Sequence, residues 1–364
     1  MTPQRTLTQS FGTLALSSGK VLPSHTVAYQ TWGTLNAEHS NAILIFHALS
    51  GDAHVSGVHE DGRTGWWDLM VGPGRAFDTD RYFVICANVL GGCKGSTGPA
   101  WHDPTTGHSY GTDFPVITLE DMVRAQKPLL DMLGIAKLHA VAGGSMGGML
   151  VLAFAQIYPG MLERAVVMAS SWTNHAQAIA WNKIGRRAIM HDPHWLGGHY
   201  YDSPDGPPVR GLAVARMIGH VTYISEGAMD AKFGRKLQAR DAESFTLGVD
   251  YAVESYLAHQ GDVFPQRFDA NSYLYITRAI DYFDFTAPTG GDLVAAFAQT
   301  RARFAFFSYD ADWLYSPARN QKMTDAAQKA GREAVHHRIV APLGHDAFLI
   351  QQQPQTDLIR EFLG

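Results

Sequence analysis

Compact apolar runs recur along the chain and predict the strands of a central sheet. They are residues 42–46, 82–87, 138–142 and 165–169, and the core pattern resumes with predicted strands at 303–309 and 336–340. Short runs that are apolar at nearly every position are typical of parallel strands covered by helices on both faces. Two alternating stretches precede them, at 6–16 and 25–32, and predict an antiparallel hairpin at the start of the sheet.

Helical spacing of apolar residues appears between and after these runs. Residues 119–133 show it clearly, with Glu120 and Asp121 in the first turn and Gly134 after the last. Residues 355–363 predict a closing helix at the end of the chain.

The pattern changes over the stretch that separates the fourth predicted strand from the fifth. There the strand signal fades into helix-like segments rich in His, Arg and aromatic residues. We therefore predict an α/β core formed by residues 1–172 and 289–364, into which a helical lid, residues 173–288, is inserted.

Charge and cysteine content exclude several classes of function. The 364 residues include 34 acidic and 29 basic side chains, for a formal charge of −5, and no Lys/Arg block suggests a nucleic-acid partner. Two cysteines are too few for a disulfide framework. Residues 1–10 lack the features of a secretory signal, and the apolar stretch 140–155 is shorter than the roughly 20 residues of a membrane span. We expect a cytoplasmic protein with no membrane or nucleic-acid partner.

Ser145 lies in the sequence Gly-Gly-Ser-Met-Gly-Gly, residues 143–148, between a predicted strand and an apolar helix pattern. This G-x-S-x-G frame is typical of a nucleophile elbow, in which a sharp strand-to-helix turn exposes the serine oxygen. The glycines permit close backbone contacts, and the helix N-terminus can stabilise a developing oxyanion. The sequence therefore predicts Ser145 as a catalytic nucleophile.

An acid and a base follow Ser145 in the order that the α/β-hydrolase architecture requires, each on a loop after a late strand. Asp312 comes after the predicted strand 303–309, and His345 comes after 336–340. The imidazole of His345 can take the serine proton while Asp312 orients its other nitrogen. Asp310 is an alternative acid, although a turn-forming role suits it better.

Backbone N–H groups are expected to complete the site. The oxyanion hole should use the N–H of Met146 and one from the loop 47–54, where Leu49 is the favoured donor. No metal site is expected, because Pro193 disfavours helical presentation of His191 and His194.

A series of further segments matches a family pattern, in the same order along the chain. They are residues 47–52, 65–68, 72–74, 88–93, 95–99, 143–148, 215–223, 268–273 and 344–348. Together they resemble the homoserine O-acyltransferases of the MetX type. The resemblance implies an α/β-hydrolase fold, with a mostly parallel central sheet flanked by helices and an inserted helical lid. It also implies a cytoplasmic homodimer that serves methionine biosynthesis.

The resemblance also assigns roles to residues by position. The family's triad falls on Ser145, Asp312 and His345, and its amino-acid contacts fall on Arg216, Tyr223 and Asp346. A guanidinium can grip a substrate carboxylate, a tyrosine can add a donor, and a carboxylate can pair with the substrate ammonium. From the residues alone, ordinary roles are favoured instead: Arg216 would bridge within a helix, Tyr223 would belong to the core, and Asp346 would shape a turn.

The function that this resemblance implies is a ping-pong acyl transfer. The acetyl group of acetyl-CoA would pass to the hydroxyl of L-homoserine through an acetyl-Ser145 intermediate. Acetyl-CoA is then a co-substrate, and no bound cofactor is expected. The alternatives are a succinyl donor, serine or another hydroxyl as acceptor, or an esterase of the same fold.

Overall fold

The structure is a computed structural model and describes residues 5–364. Its strands are β1 (Leu7–Phe11), β2 (Leu14–Ala15), β3 (Val21–Leu22), β4 (His25–Trp32), β5 (Ala42–Phe46), β6 (Phe83–Ala87), β7 (Leu138–Gly144), β8 (Leu162–Met168), β9 (Arg303–Tyr309) and β10 (Ala334–Ile339). Its α-helices are α1 (Leu119–Met132), α2 (Met146–Ile157), α3 (Ala176–Met190), α4 (Val209–Tyr223), α5 (Glu226–Lys232), α6 (Ala252–Val263), α7 (Ala270–Tyr282), α8 (Leu293–Ala298), α9 (Pro317–Lys329), α10 (Ala347–Ile350) and α11 (Gln355–Leu363).

Eight of the strands form one sheet, in the order β1-β4-β6-β5-β7-β8-β9-β10. The pairs β1/β4 and β4/β6 are antiparallel, and all later pairs are parallel. This mostly parallel sheet flanked by helices confirms the predicted fold class. The first predicted strand, 6–16, is wrong in extent. It breaks after Phe11, and β2 pairs with β3 in a separate two-stranded sheet.

Side chains of β5 show how the sheet is buried on both faces. Leu44 and Phe46 point to one face, where they join the cluster that includes helices α1 and α2. Ile43 and Ile45 point to the opposite face, where they pack in the cluster that includes α11. Because strand side chains alternate, a strand covered on both faces must be apolar at every position.

Between β8 and β9 the structure has helices and no strand of the main sheet. The chain leaves and returns at one point, since Thr173 bridges Asp284 and the Phe285 N–H donates to the Trp172 carbonyl at 2.8 Å. The assignment of residues 173–288 as a lid stays a prediction. Within residues 5–364, no helix has the length and apolar character needed to cross a bilayer.

Candidate active site

Ser145 lies on the turn between β7 and α2 with φ 57° and ψ −123°, a backbone conformation that L-residues rarely adopt. Its N–H donates to the Met168 carbonyl at 2.9 Å, which ties the turn to β8. A Cβ on Gly143 would lie 2.5 Å from the Gly147 backbone, and one on Gly147 would lie 2.3 Å from the Phe46 carbonyl oxygen. The glycines are therefore required by close backbone contacts, as the sequence predicted.

Ser145, His345 and Asp312 form a continuous hydrogen-bonded chain. The Ser145 hydroxyl lies 2.8 Å from His345 Nε2, and His345 Nδ1 lies 2.9 Å from Asp312 Oδ2. The second carboxylate oxygen of Asp312 accepts from the N–H groups of Leu314 and Tyr315, at 2.9 and 3.0 Å. Because a carboxylate only accepts, His345 carries its proton on Nδ1 and presents a lone pair on Nε2 to the serine hydroxyl.

The charges around His345 help this side chain to hold a proton. Burial alone would lower the pKa of His345, but the charge and hydrogen bond of Asp312 and the charge of Asp346 raise it above its usual value. The alternative acid, Asp310, does not reach the histidine. It is exposed and pairs instead with Arg338.

The two predicted oxyanion donors lie beside the serine. Met146 begins α2, and Leu49 lines the same cavity as Ser145. Within residues 5–364, neither the Met146 N–H nor the Leu49 N–H has a hydrogen-bond acceptor. The loop that carries Leu49 is anchored by His47, whose Nδ1 donates to the Ala48 carbonyl and whose Nε2 accepts from the Val89 N–H.

A small cavity, here called the Ser145 cavity, opens next to the nucleophile and has a volume of about 50 Å³. It is lined by Leu49, Ser145, Asn174, Ala178, Trp181, Asn182, Ile218, Gly219, Thr222, Tyr223, Tyr273, Ile280, Leu314 and Tyr315. None of these lining residues is ionic. The wall is made of aromatic rings, aliphatic groups, amides and hydroxyls.

The structure groups the three predicted amino-acid contacts near the triad. Tyr223 lines the Ser145 cavity, its ring centre lies 5.9 Å from that of His345, and its carbonyl accepts from the Asp346 N–H at 3.2 Å. Burial raises the pKa of Asp346, and the nearby charges of His345 and Arg216 oppose that rise. Neither Arg216 nor Asp346 lines the cavity itself.

Arg216 forms no bridge to another residue of its helix, which was the alternative to a role in substrate binding. Its guanidinium lies over the Phe264 ring at 4.7 Å, and within the described chain it has no ion pair with a carboxylate. Arg267 lies over the same ring at 5.1 Å and donates to the Ser50 carbonyl at 3.2 Å. Sequence reasoning missed Arg267, although it immediately precedes the segment 268–273 that carried part of the resemblance.

A second group that sequence reasoning missed is a buried ion pair behind the cavity, between Arg186 on α3 and Asp281 on α7. The available signal was weak. A charged residue among the apolar positions of α7 indicates a buried carboxylate only if the buried stripe of that helix is known.

Comparison with known proteins places this geometry in a family. The family model for the alpha/beta hydrolase fold matches residues 41–349. A homoserine O-acetyltransferase from Rhodospirillum rubrum is 52% identical over 351 residues, covering 96% of this chain and 90% of the relative. The chain belongs to the homoserine O-acetyltransferase family. Another relative of the family, from Acidithiobacillus ferrooxidans, is a homoserine O-succinyltransferase that is 49% identical over 100% of this chain and 95% of its own length.

Solved structures similar to this chain come from enzymes with different activities. The homoserine O-acetyltransferase of Bacillus anthracis is 30% identical with a TM-score of 0.90, covering 99% of this chain and 98% of its own. An esterase is also 30% identical, with a TM-score of 0.91 over 99% of this chain and 100% of its own. The fold therefore supports both acyl transfer and hydrolysis, and the residues around Ser145 must decide between them.

Proposed function

We propose that the chain transfers the acetyl group of acetyl-CoA to the hydroxyl of L-homoserine, as a step in methionine biosynthesis. The observation that carries the proposal is the hydrogen-bonded chain of Ser145, His345 and Asp312 in a family whose relatives are named for that transfer. The chain of donors and acceptors is the arrangement that makes a serine hydroxyl nucleophilic.

In the first half-reaction, Ser145 Oγ attacks the thioester carbonyl carbon while His345 Nε2 takes the hydroxyl proton. The negative charge that develops on the carbonyl oxygen is stabilised by the N–H groups of Met146 and Leu49. When the tetrahedral intermediate collapses, the carbon–sulfur bond breaks and His345 returns the proton to the leaving thiolate. The products are free CoA and an acetyl ester on Ser145.

In the second half-reaction, the homoserine hydroxyl replaces the thiol. His345 removes its proton as the oxygen attacks the acetyl-serine carbonyl, and the proton then returns to Ser145 as the acyl–enzyme bond breaks. Arg216 would hold the substrate carboxylate, Asp346 the ammonium, and Tyr223 would add a hydrogen-bond donor. A zwitterion held at both ends keeps its hydroxyl oriented toward the ester, which favours the alcohol over water.

Rates of thiol release from acetyl-CoA, with and without homoserine, test this proposal. We expect release that depends on homoserine, formation of O-acetylhomoserine, and an acetyl adduct on Ser145 detected by mass spectrometry when homoserine is omitted. In Ser145→Ala the adduct should be absent. An adduct that persists in this variant would overturn the role of Ser145.

The competing functions give different results in the same assay. A succinyltransferase, which the Acidithiobacillus ferrooxidans relative makes a specific alternative, would use succinyl-CoA in preference to acetyl-CoA. An esterase would release thiol without homoserine and form no amino-acid ester. Serine in place of homoserine tests the choice of acceptor.

We also propose a homodimer in the cytoplasm. Exposed apolar side chains on α3 and α4 suit a self-contact, among them Ile184 at 49%, Val214 at 45% and Val221 at 46% exposure. Sedimentation equilibrium should give twice the chain mass, whereas the mass of a single chain would contradict this expectation. Cell fractionation tests the location.

A further inference from the structure

Asp281 lies directly behind the wall of the Ser145 cavity. Its side chain is only 3% exposed, and Oδ2 pairs with Arg186 Nη2 at 2.6 Å. Its other oxygen accepts from the side-chain amides of Asn174 and Asn182, at 2.9 and 2.8 Å. Both asparagines line the cavity. One buried carboxylate therefore connects a cation to two amides of the cavity wall.

The carboxylate fixes the direction of both amides. An amide whose NH₂ group donates to Asp281 cannot turn over without placing its oxygen against a carboxylate oxygen, which would be repulsive. The carbonyl oxygen of Asn174 accepts from the Tyr315 hydroxyl at 3.3 Å. That of Asn182 has no donor within residues 5–364. Asn182 therefore keeps its amide nitrogen on Asp281 and has an unpaired acceptor oxygen in a residue that lines the cavity.

The charges behind the wall act on the cavity and oppose each other. Burial raises the pKa of Tyr273, a lining residue, and the charges of Arg186 and Asp281 shift that pKa in opposite directions. Arg186 is 6% exposed and its Nη1 has no hydrogen-bond partner among the described residues. The cation that could attract an acyl carboxylate is present, but Asp281 neutralises it.

The small size of the cavity also favours an acetyl group over a succinyl group. The space beside Ser145 is small, with a volume of about 50 Å³. An acetyl group adds only a methyl beyond its carbonyl. A succinyl group adds a further methylene and a carboxylate, and none of the residues that line the cavity is a cation that could receive this carboxylate.

We infer that Asp281 is a specificity-determining residue, which makes the Ser145 cavity select an uncharged acyl group by neutralising Arg186 and orienting Asn174 and Asn182. This inference rests on the proposed function and deepens it. Asp281 acts through its neighbours and touches no reacting atom, so it is a positioning residue.

The test compares kcat/KM for acetyl-CoA and succinyl-CoA, each with homoserine, and the rate at which each donor acylates Ser145. The wild type should prefer acetyl-CoA. In Asp281→Asn the positive charge of Arg186 is no longer neutralised, and the acetyl-to-succinyl ratio should fall by about tenfold or more. In the double variant Arg186→Met/Asp281→Asn no net charge remains, and the ratio should stay near the wild-type value.

A second variant is needed because removing one partner of a buried ion pair can prevent folding. Asn182→Ala removes the acceptor oxygen and leaves the ion pair intact, so the same ratio should fall. Lys183→Ala, at an exposed position on the same helix, is the matched control and should leave the ratio unchanged. If Asp281→Asn does not fold, the ratio in Asn182→Ala decides.

The inference is overturned if the wild type prefers succinyl-CoA. It is also overturned if Asn182→Ala keeps the wild-type ratio, or if the double variant shifts as much as Asp281→Asn. A wild-type preference for succinyl-CoA would contradict the proposed function as well, whereas the two variant outcomes overturn the inference alone, in a protein that still transfers acetyl groups to homoserine.

Discussion

Replacing Asp312 with asparagine should disable the base while leaving the shape of the site almost unchanged. Asp312 Oδ1 accepts two backbone N–H groups, from Leu314 and Tyr315. The asparagine carbonyl oxygen should keep these two bonds, which turns its NH₂ group toward His345 Nδ1. A donor in that position favours the tautomer with the proton on Nε2, and that nitrogen then has no lone pair for the Ser145 hydroxyl.

The expected loss of activity follows from this change of tautomer. The same substitution in a serine protease lowers kcat by about 10⁴-fold, which corresponds to about 5.5 kcal/mol at 1.36 kcal/mol per factor of ten. Loss of the carboxylate also removes its stabilisation of the imidazolium that forms during attack. We therefore expect kcat/KM for acetyl-CoA to fall by about 10³- to 10⁴-fold.

The pH profile gives a second, independent readout. His345 must be unprotonated to act as a base, so activity should be present above its folded-state pKa and lost as the pH falls through that value. In the wild type Asp312 helps to raise this pKa above the ordinary histidine value of about 6.5. The pH below which activity is lost should therefore lie above that value. In Asp312→Asn less opposes the lowering of the His345 pKa by burial. The pH at which the residual activity is lost should therefore move to a lower value.

Stopped-flow measurement of CoA release from pH 5 to pH 9 gives both the fall in rate and the shift of the pH profile. Asp310→Asn is the matched control, because Asp310 is exposed and pairs with Arg338, and a surface pair of this kind should change the rate by no more than about twofold. The role of Asp312 as the acid of the triad is contradicted if Asp312→Asn retains more than about a tenth of the wild-type rate, or if Asp310→Asn is the more damaging change.

Three other substitutions test the elbow and the amino-acid contacts. Gly147→Ala should lower the free energy of unfolding by about 3 kcal/mol in urea titrations, because its Cβ would meet the Phe46 carbonyl; Gly160→Ala, which meets nothing within 4 Å, is the control, and equal effects would contradict the steric argument. Arg216→Lys should lower kcat/KM for homoserine by about tenfold through loss of bidentate contact, and leave kcat/KM for acetyl-CoA nearly unchanged. Asp346→Asn should show the same division between the two half-reactions, and an equal loss in both would argue against a role in holding the amino acid.

Strand and helix bounds were predictable where the signal is local. β9 and α11 have the predicted bounds, because each is set by a continuous apolar run or a helical stripe. β8 begins at Leu162, three residues before its predicted start at 165, since Glu163 and Arg164 interrupt the apolar pattern. Arg164 nevertheless pairs in register with Ala140 and Arg303, so sheet pairing overrides the local polarity.

The same distinction applies to the site. Chain order and strand ends suffice to bring Ser145, Asp312 and His345 together, because the carboxyl ends of parallel strands share one edge of the sheet. The pairing of Arg186 with Asp281 depends instead on how α3 packs against α7. No periodicity within either helix specifies that contact, so the sequence alone could not reveal it.

Trp172 and Phe285 flank helices α3 to α7, and their backbones are joined by a hydrogen bond of 2.8 Å. A short linker could close this gap without moving β8 or β9. Insertions and deletions between these two residues need not shift the strands that carry the triad, so acceptor preference can diverge in evolution while the nucleophile, acid and base stay fixed. For protein engineering, this junction is the natural site at which to graft the intervening helices of one relative onto the core of another.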